Sequence, residues 1–317
     1  MENIPFFNYP ALFEQRKDEY LDIVQDVLSR GAYIMQQDLI DFENDLAKYL
    51  GVKHAIGVAD GTMALLTSLM AAGIGEGDEV IVPSHTFIAS AAAIHHSGAK
   101  PILADCQEDH LIDPNSIAKL ITSKTKAIMP VQLNGRVANM DAINKIATKH
   151  DLIIIEDSCQ ALGAKYKNQF AGTFGLTGTF SFFPAKTLGC FGDGGAVVTN
   201  SDKVAAKIRI IRDHGRDPID GKVKIFGFNS RLDNLQAAVL GLKLKYYDED
   251  VVRRRQIATL YHLHLCAIEQ ILLPPAPDSE VDHFDVFQNY EIEVQDRDNL
   301  REFLSKAGVG TILQWGG

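Results

Sequence analysis

The sequence predicts an α/β protein: a large domain with a mostly parallel central sheet flanked by helices, then a smaller α+β C-terminal domain. Short apolar runs alternate with helical stretches along most of the chain, the pattern of strands joined by helical crossovers. The runs are apolar at nearly every position, as strands covered by helices on both faces require. Length is the third observation: 317 residues, 46% of them hydrophobic, suit one large core and a smaller second one.

The elements follow in order. Leu39, Phe42, Leu46 and Leu50 recur three and four apart before Gly51, which predicts an amphipathic helix with a C-terminal stop. HAIGVAD reads as a short buried strand, and GTMALLTSLMAAG as a helix opening on Gly61-Thr62. DEVIVPS is a strand, TFIASAAAIHHSG a helix and KPILAD a strand. Asp113 and Pro114 supply the N-cap and first helical position of DPNSIAKLI. TKAIMPVQ is a strand, NMDAINKIATKH a helix and DLIIIED a strand. The aromatic strand before Lys186 and GGAVVTN after it precede the helix SDKVAAKIRIIRDHG. Helix prevails from Leu232 to Ile271, LLPPAPDSE is a loop, FQNYEIEV a strand and DRDNLREFLSKAG a helix. A boundary near the long helix gives domains 1–245 and 246–317.

Composition narrows the function. A formal net charge of -10 argues against nonspecific nucleic-acid binding, which needs a basic face. The four cysteines, Cys106, Cys159, Cys190 and Cys266, are scattered without a CxxC spacing, so no metal site or disulfide framework is expected. They read as reduced thiols of a cytoplasmic protein. The start, MENIPFFNYPALFEQRKDEY, has no basic segment followed by an apolar run, and no stretch is long enough to span a bilayer.

Sites in parallel α/β sheets form outside the C-terminal ends of the strands, and several polar groups fall there. Gly61-Thr62 opens a helix whose free N–H groups suit a phosphate, though many helices begin this way merely as a cap. Phe87, in SHTF, is either a core aromatic or a platform for a flat ring. Asp157 ends an apolar strand, where an unpaired carboxylate is costly; it is a cap, one half of a salt bridge or the partner of a cationic nitrogen. Gln160 is close enough in sequence to face the same site. Ser181 and Lys186 flank a proline, and Gly192, Gly194 and Gly195 follow. Those glycines lack the Lys-Ser/Thr ending of a phosphate-binding NTPase loop. Alone, Lys186 reads as a solvated lysine. Beside a phosphate cradle, a ring stacker and an acid, it completes the protein groups that pyridoxal phosphate requires: an amine for its aldehyde and an acid for its ring nitrogen.

Together the stretches GTMAL, GDEVIVPSHTFIAS, GAKPILAD, TKAIMPVQLNG, IIEDSCQALGA, GTFSFFPAKTLGCFGDGGAVVTN, RIIRDHG and FNSRLDNLQAAVLGLKL resemble the DegT/DnrJ/EryC1/StrS family of sugar aminotransferases, over about residues 35 to 245. The resemblance implies the aspartate-aminotransferase fold (fold type I), pyridoxal phosphate with pyridoxamine phosphate as its alternate form, and amino transfer from an amino acid, glutamate foremost, to a nucleotide-linked keto sugar in amino-sugar biosynthesis. It implies that Lys186 holds the cofactor through an imine, Asp157 pairs with the pyridine nitrogen, Gln160 meets the phenolic oxygen and Phe87 stacks on the ring. Gly61, Thr62 and Ser181 would hold the phosphate, and Asn229 would reach the phosphate of a second subunit in a homodimer with shared sites.

Two departures stand out. Family members usually carry a small residue such as serine where this chain has Asp60, so Asp60 is expected to point away from the phosphate. They also usually run several dozen residues further than GVGTILQWGG, so the small domain is expected to be incomplete. Rival readings are an aminotransferase for an inositol ketone or an aminobenzoate-type precursor, a sugar dehydratase, against which Lys186 speaks because such relatives carry histidine there, and a silent regulator on the same fold.

Overall fold

The computed structural model describes residues 3–316. Three helices open the chain: α1 (Tyr9–Glu14), α2 (Lys17–Arg30) and α3 (Gln37–Leu50). Strands and helices then alternate through β1 (His54–Val58), α4 (Gly61–Ala72), β2 (Glu79–Pro83), α5 (Ile88–His96), β3 (Lys100–Ala104), α6 (Pro114–Leu120), β4 (Thr125–Ile128), α7 (Met140–His150) and β5 (Ile153–Asp157). A small hairpin, β6 (Lys165–Tyr166) and β7 (Gln169–Phe170), precedes β8 (Thr177–Ser181) and β9 (Gly195–Thr199). Helices α8 (Asp202–Arg212), α9 (Asn234–Leu244) and α10 (Tyr247–Leu265) follow, then β10 (Ile271–Leu272), β11 (His283–Phe284), β12 (Glu293–Val294) and α11 (Arg297–Lys306).

Seven strands form the central sheet in the order β1-β9-β8-β5-β4-β2-β3. The pairings from β8 through β5, β4 and β2 to β3 are parallel. β9 is antiparallel to both neighbours, because its connection to β8 contains no crossover helix and turns the chain straight back. The sheet is therefore the mostly parallel one the sequence predicts, with β9 as its antiparallel member. Its interior strands are buried along nearly their whole length, and β3 at the edge is not. Phe42 and Phe182, both fully buried, meet edge to face at 5.3 Å between α3 and the exit of β8.

β1 is the other edge, and side chains cap its open backbone. At Gly57 the N–H donates to the Glu43 carboxylate at 2.8 Å, and the carbonyl accepts from Arg212 Nη1 at 2.8 Å. Arg212 Nη1 also pairs with Glu43 itself. One buried ion pair thus ties α3 and α8 to the sheet edge and satisfies both free groups of Gly57.

Two expectations need correction. The helical region from Leu232 to Ile271 is two helices, interrupted where Tyr246 leaves helical geometry (φ -107°, ψ 2°). The expected strand FQNYEIEV shrinks to Glu293–Val294, paired with β10. Upstream, Val286 N–H and Gln288 N–H donate instead to the carbonyls of Gly135 and Asn134, and Phe287 sits at a φ of 50°. That backbone is committed to the turn after β4, so it has no ladder to join.

Arg212→Ala strands the Glu43 charge and the Gly57 carbonyl together. We expect it to cost about 3–5 kcal/mol in urea unfolding, the range for breaking a buried pair. Replacing Glu43 and Arg212 together by methionines should recover part of that loss; a single-variant loss under about 1 kcal/mol would contradict this account.

Candidate active site

The C-terminal ends of β1, β2, β4, β5 and β8 open on one cavity of about 470 Å³. Gly61, Thr62, Phe87, Asp157, Gln160, Ser181 and Lys186 all line it. The sheet order brings these positions together: β5 and β8 are parallel neighbours, and β9 starts between the ends of β8 and β1. Asn229 does not line the cavity. It is exposed in the segment before α9, with its backbone bridged to Asp213.

At the β1 end, Gly195 pairs with Val58 on one side and Ser181 on the other. A Cβ on Gly195 would strike the Asp60 backbone and come within 2.9 Å of Gly61 N. A Cβ on Gly61 would come within 2.8 Å of Ser181 Cβ and 3.0 Å of Cys159 Sγ. Glycine at both places lets the N-terminus of α4 and the Ser181 hydroxyl share one concave corner. Asp60 is the N-cap of α4: its carboxylate accepts from Met63 N–H at 2.8 Å. That is the local work of the acid that departs from the family pattern, although Asp60 still borders the cavity.

At the centre, Asp157 is only 6% exposed. One carboxylate oxygen accepts from Cys159 N–H at 3.2 Å and the other from the Ser90 hydroxyl at 2.7 Å. A carboxylate offers about four lone-pair directions, so capacity for another donor remains. The Gln160 carbonyl accepts from Asn134 N–H at 2.8 Å, which leaves its NH₂ group to donate. Phe87 is the N-cap residue of α5 and 54% exposed, so it is a wall aromatic and not a core one. Burial, with Asp157 beside it, pushes the Cys159 thiol well above its ordinary value against the opposing pull of Lys186. Cys159 is therefore a protonated thiol in the cavity wall, not a nucleophile.

Lys186 stands on a loop pinned from several sides. Gln288 accepts from Thr187 N–H and donates to the Ala185 carbonyl, both at 2.8 Å. The Tyr247 hydroxyl donates to the Leu162 carbonyl, so the Thr187 hydroxyl supplies the proton of their 2.7 Å contact. Gln236 accepts from Phe191 N–H at 2.8 Å, and Lys243 donates to the Gly189 carbonyl at 2.5 Å. Among the described residues no carboxylate pairs with Lys186 Nζ, so the amine is held in place by its backbone and left open to the cavity.

These features fit pyridoxal phosphate on geometry: a glycine-walled corner at a helix N-terminus, a buried carboxylate with spare acceptor capacity and an unpaired amine. Ser90, Asn134, Gln288 and the rim residues Asn289, Gln314 and Trp315 were not singled out from sequence. Asn134 alone left a local trace, in the Asn-Gly of VQLNG. It takes a φ of 56°, and its side chain bonds Glu291, Asn289 and Gln314. The others sit in unremarkable stretches and reach the site only through long-range contacts.

Gln288→Ala removes both ties on the residues flanking Lys186. We expect a thermal midpoint lowered by a few degrees, since about 1 kcal/mol per lost hydrogen bond is involved. The reaction of Lys186 with pyridoxal phosphate, followed by absorbance, should slow by about tenfold. Unchanged kinetics would show that Tyr247, Gln236 and Lys243 suffice to hold the loop.

Comparison with known proteins places this architecture. Residues 14–315 match the DegT/DnrJ/EryC1/StrS aminotransferase family. The dTDP-3-amino-3,4,6-trideoxy-alpha-D-glucose transaminase of Streptomyces venezuelae is 40% identical over 98% of this chain and 82% of its own length. The UDP-2-acetamido-2-deoxy-3-oxo-D-glucuronate aminotransferase of Pseudomonas aeruginosa is 40% identical over 94% of this chain and 82% of its own. The crystal structure of S. venezuelae DesV in complex with a ketimine intermediate superposes with a TM-score of 0.95 at 39% identity, covering 99% of this chain and 84% of that one.

Proposed function

The chain belongs to the DegT/DnrJ/EryC1/StrS aminotransferase family, and from that premise we propose that it transfers an amino group from an amino acid, glutamate foremost, to the keto carbon of a nucleotide-linked keto sugar. It is a pyridoxal-phosphate-dependent transaminase. One observation carries the assignment of residues: a single cavity wall presents an open amine, a buried carboxylate, an exposed aromatic ring and a glycine–hydroxyl corner. The nucleotide sugar is supported by the two relatives at 40% identity, named for a dTDP-linked and a UDP-linked sugar.

When bound, pyridoxal phosphate supplies an aldehyde that captures amines and a ring that stores an electron pair. On this reading the Gly61 and Thr62 N–H groups and the Ser181 hydroxyl take the phosphate at the N-terminus of α4. Asp157 would hold the proton on the ring nitrogen, the Gln160 amide would donate to the phenolic oxygen, and Phe87 would cover the ring face. Lys186 Nζ would hold the cofactor and would be the base that takes the proton from the donor's Cα. Residues 1–245 form the cofactor-binding domain and 246–317 the smaller one.

A homodimer with shared sites completes the proposal. Asn229 lies outside its own cavity and is exposed, as a residue serving a second copy would be. The chain just before it carries Ile219, Val223 and Phe226 at 92%, 66% and 99% exposure, apolar side chains that a second copy would cover. Among the described residues no helix is long and apolar enough to cross a membrane. We place the enzyme in the cytoplasm on the reading of its four scattered cysteines as reduced thiols.

Lys186→Ala should abolish turnover and the visible cofactor band that borohydride removes, with the circular dichroism of the fold unchanged. Retention of most activity would sink the assignment. For substrate, dTDP- and UDP-linked keto sugars should be aminated and scyllo-inosose should not; the reverse preference would favour the inositol-ketone reading. Asn229→Ala should weaken cofactor binding by about 1–3 kcal/mol, the usual effect of leaving a buried acceptor unpaired. A fully active monomer in sedimentation at assay concentration would rule out the shared site.

A further inference from the structure

One buried polar contact beside the cavity links α5 to the end of β5. Ser90 is fully buried in the first turn of α5, and its hydroxyl lies 2.7 Å from Asp157 Oδ2. An ionised carboxylate can only accept, so Ser90 is the donor. Thr86 Oγ1 is 2.8 Å from Ser90 Oγ, and with the Ser90 proton committed, Thr86 donates to Ser90. Thr86 itself borders the cavity. The result is a directed chain, Thr86 to Ser90 to Asp157, ending on a carboxylate whose other oxygen accepts from Cys159 N–H.

The two donors to Asp157 come from different elements. Cys159 N–H belongs to the turn after β5, and holds one oxygen by local backbone geometry. Ser90 comes from α5, sixty-seven residues away, and is the side-chain group that fixes the second oxygen. A carboxylate held at one oxygen can still swing about its last torsion, because rotation about a terminal sp³–sp² bond is soft. Held at both, it presents its remaining lone pairs in a fixed direction. Phe87 belongs to the same short segment, as the N-cap residue of α5. One helix start therefore sets both an aromatic wall of the cavity and the aim of the acid.

We infer that Ser90, oriented by Thr86, is a positioning residue that fixes the Asp157 carboxylate against the ring nitrogen of the cofactor. The inference rests on the reading of Asp157 proposed above, and its geometry is independent of which sugar is aminated. Ser90 touches neither cofactor nor substrate; it acts only through Asp157, which gives it a distinguishing signature. Removing it should matter only while Asp157 is a carboxylate.

The test measures pyridoxal-phosphate affinity of the apoenzyme, and the pH midpoint of the visible band of the reconstituted enzyme, for wild type, Ser90→Ala, Asp157→Asn and the double variant. Ser90→Ala should weaken affinity about five- to tenfold, as expected for one lost charge-assisted hydrogen bond, and shift the midpoint by about half a unit or more. In the Asp157→Asn background the same change should alter affinity by less than about twofold and leave the midpoint in place. Equal losses in both backgrounds, or no loss in either, would overturn the inference, since a packing role does not depend on the charge at residue 157. If Asp157→Asn itself binds cofactor and turns over like wild type, the reading of Asp157 fails instead. Should Ser90→Ala not fold, Thr86→Val removes the donor to Ser90 with little change in volume. It should give a two- to threefold loss with the same dependence on Asp157, and a loss that persists in Asp157→Asn would count against the chain.

Discussion

The antiparallel insertion of β9 between β1 and β8 is the constraint on which the site depends. A parallel strand there would need a crossover helix, and the loop bearing Lys186 would leave the sheet. The chain instead reverses within a glycine-rich connection and returns at Gly195, where the Asp60 backbone leaves no room for a side chain. The ends of β1 and β8 are thereby locked together. The N-terminus of α4, the Ser181 hydroxyl and the Lys186 loop are pressed against one corner as a consequence of strand order.

Around that corner, rigidity is supplied from a distance. The Lys186 loop is tied to α9 by Gln236 and Lys243, to α10 by Tyr247, and to the C-terminal segment by Gln288. The turn after β4 is clasped to the same segment through backbone bonds to Val286 and Gln288 and through the side chain of Asn134. Arg136 adds a buried pair with Asp285 at 2.7 Å. Residues that would form the smaller domain thus hold up the floor of the larger one. A site assembled in this way keeps its groups within the narrow tolerance that catalysis demands.

Charge in the cavity is uneven. Among the described residues, Asp60, Asp157 and Asp193 border it, and Lys186 is the one cation that does so. Asp60 has its charge turned to the N-terminus of α4, where the helix dipole favours it. The same N-terminus is the corner best suited to a phosphate, so Asp60 and a phosphate draw on one set of N–H groups. The anionic substrates of the proposed reaction bring phosphates and carboxylates, and their countercharge has to come from outside this cavity wall, as a second copy of the chain would allow.

By itself the sequence determined what depends on near neighbours. Continuous apolar runs fixed the strands of a parallel sheet, and their spacing from the helices put Gly61, Thr62, Phe87, Asp157, Gln160, Ser181 and Lys186 at or just beyond strand ends, where they line one cavity; the role expected of each came from the family resemblance. The pattern over-read FQNYEIEV as a strand, because alternation does not record that the backbone donors of residues 286 and 288 are already engaged by the turn at 134–135. Only the tertiary structure decided the partners across long separations: Ser90 on Asp157, Gln288 on the Lys186 loop, Asn134 on the C-terminal rim, and Arg212 with Glu43 on the open edge at Gly57. A hydroxyl or an amide leaves no periodic trace in a sequence. Its role is set by which strand ends the sheet order makes adjacent, and that order is a property of the folded chain alone.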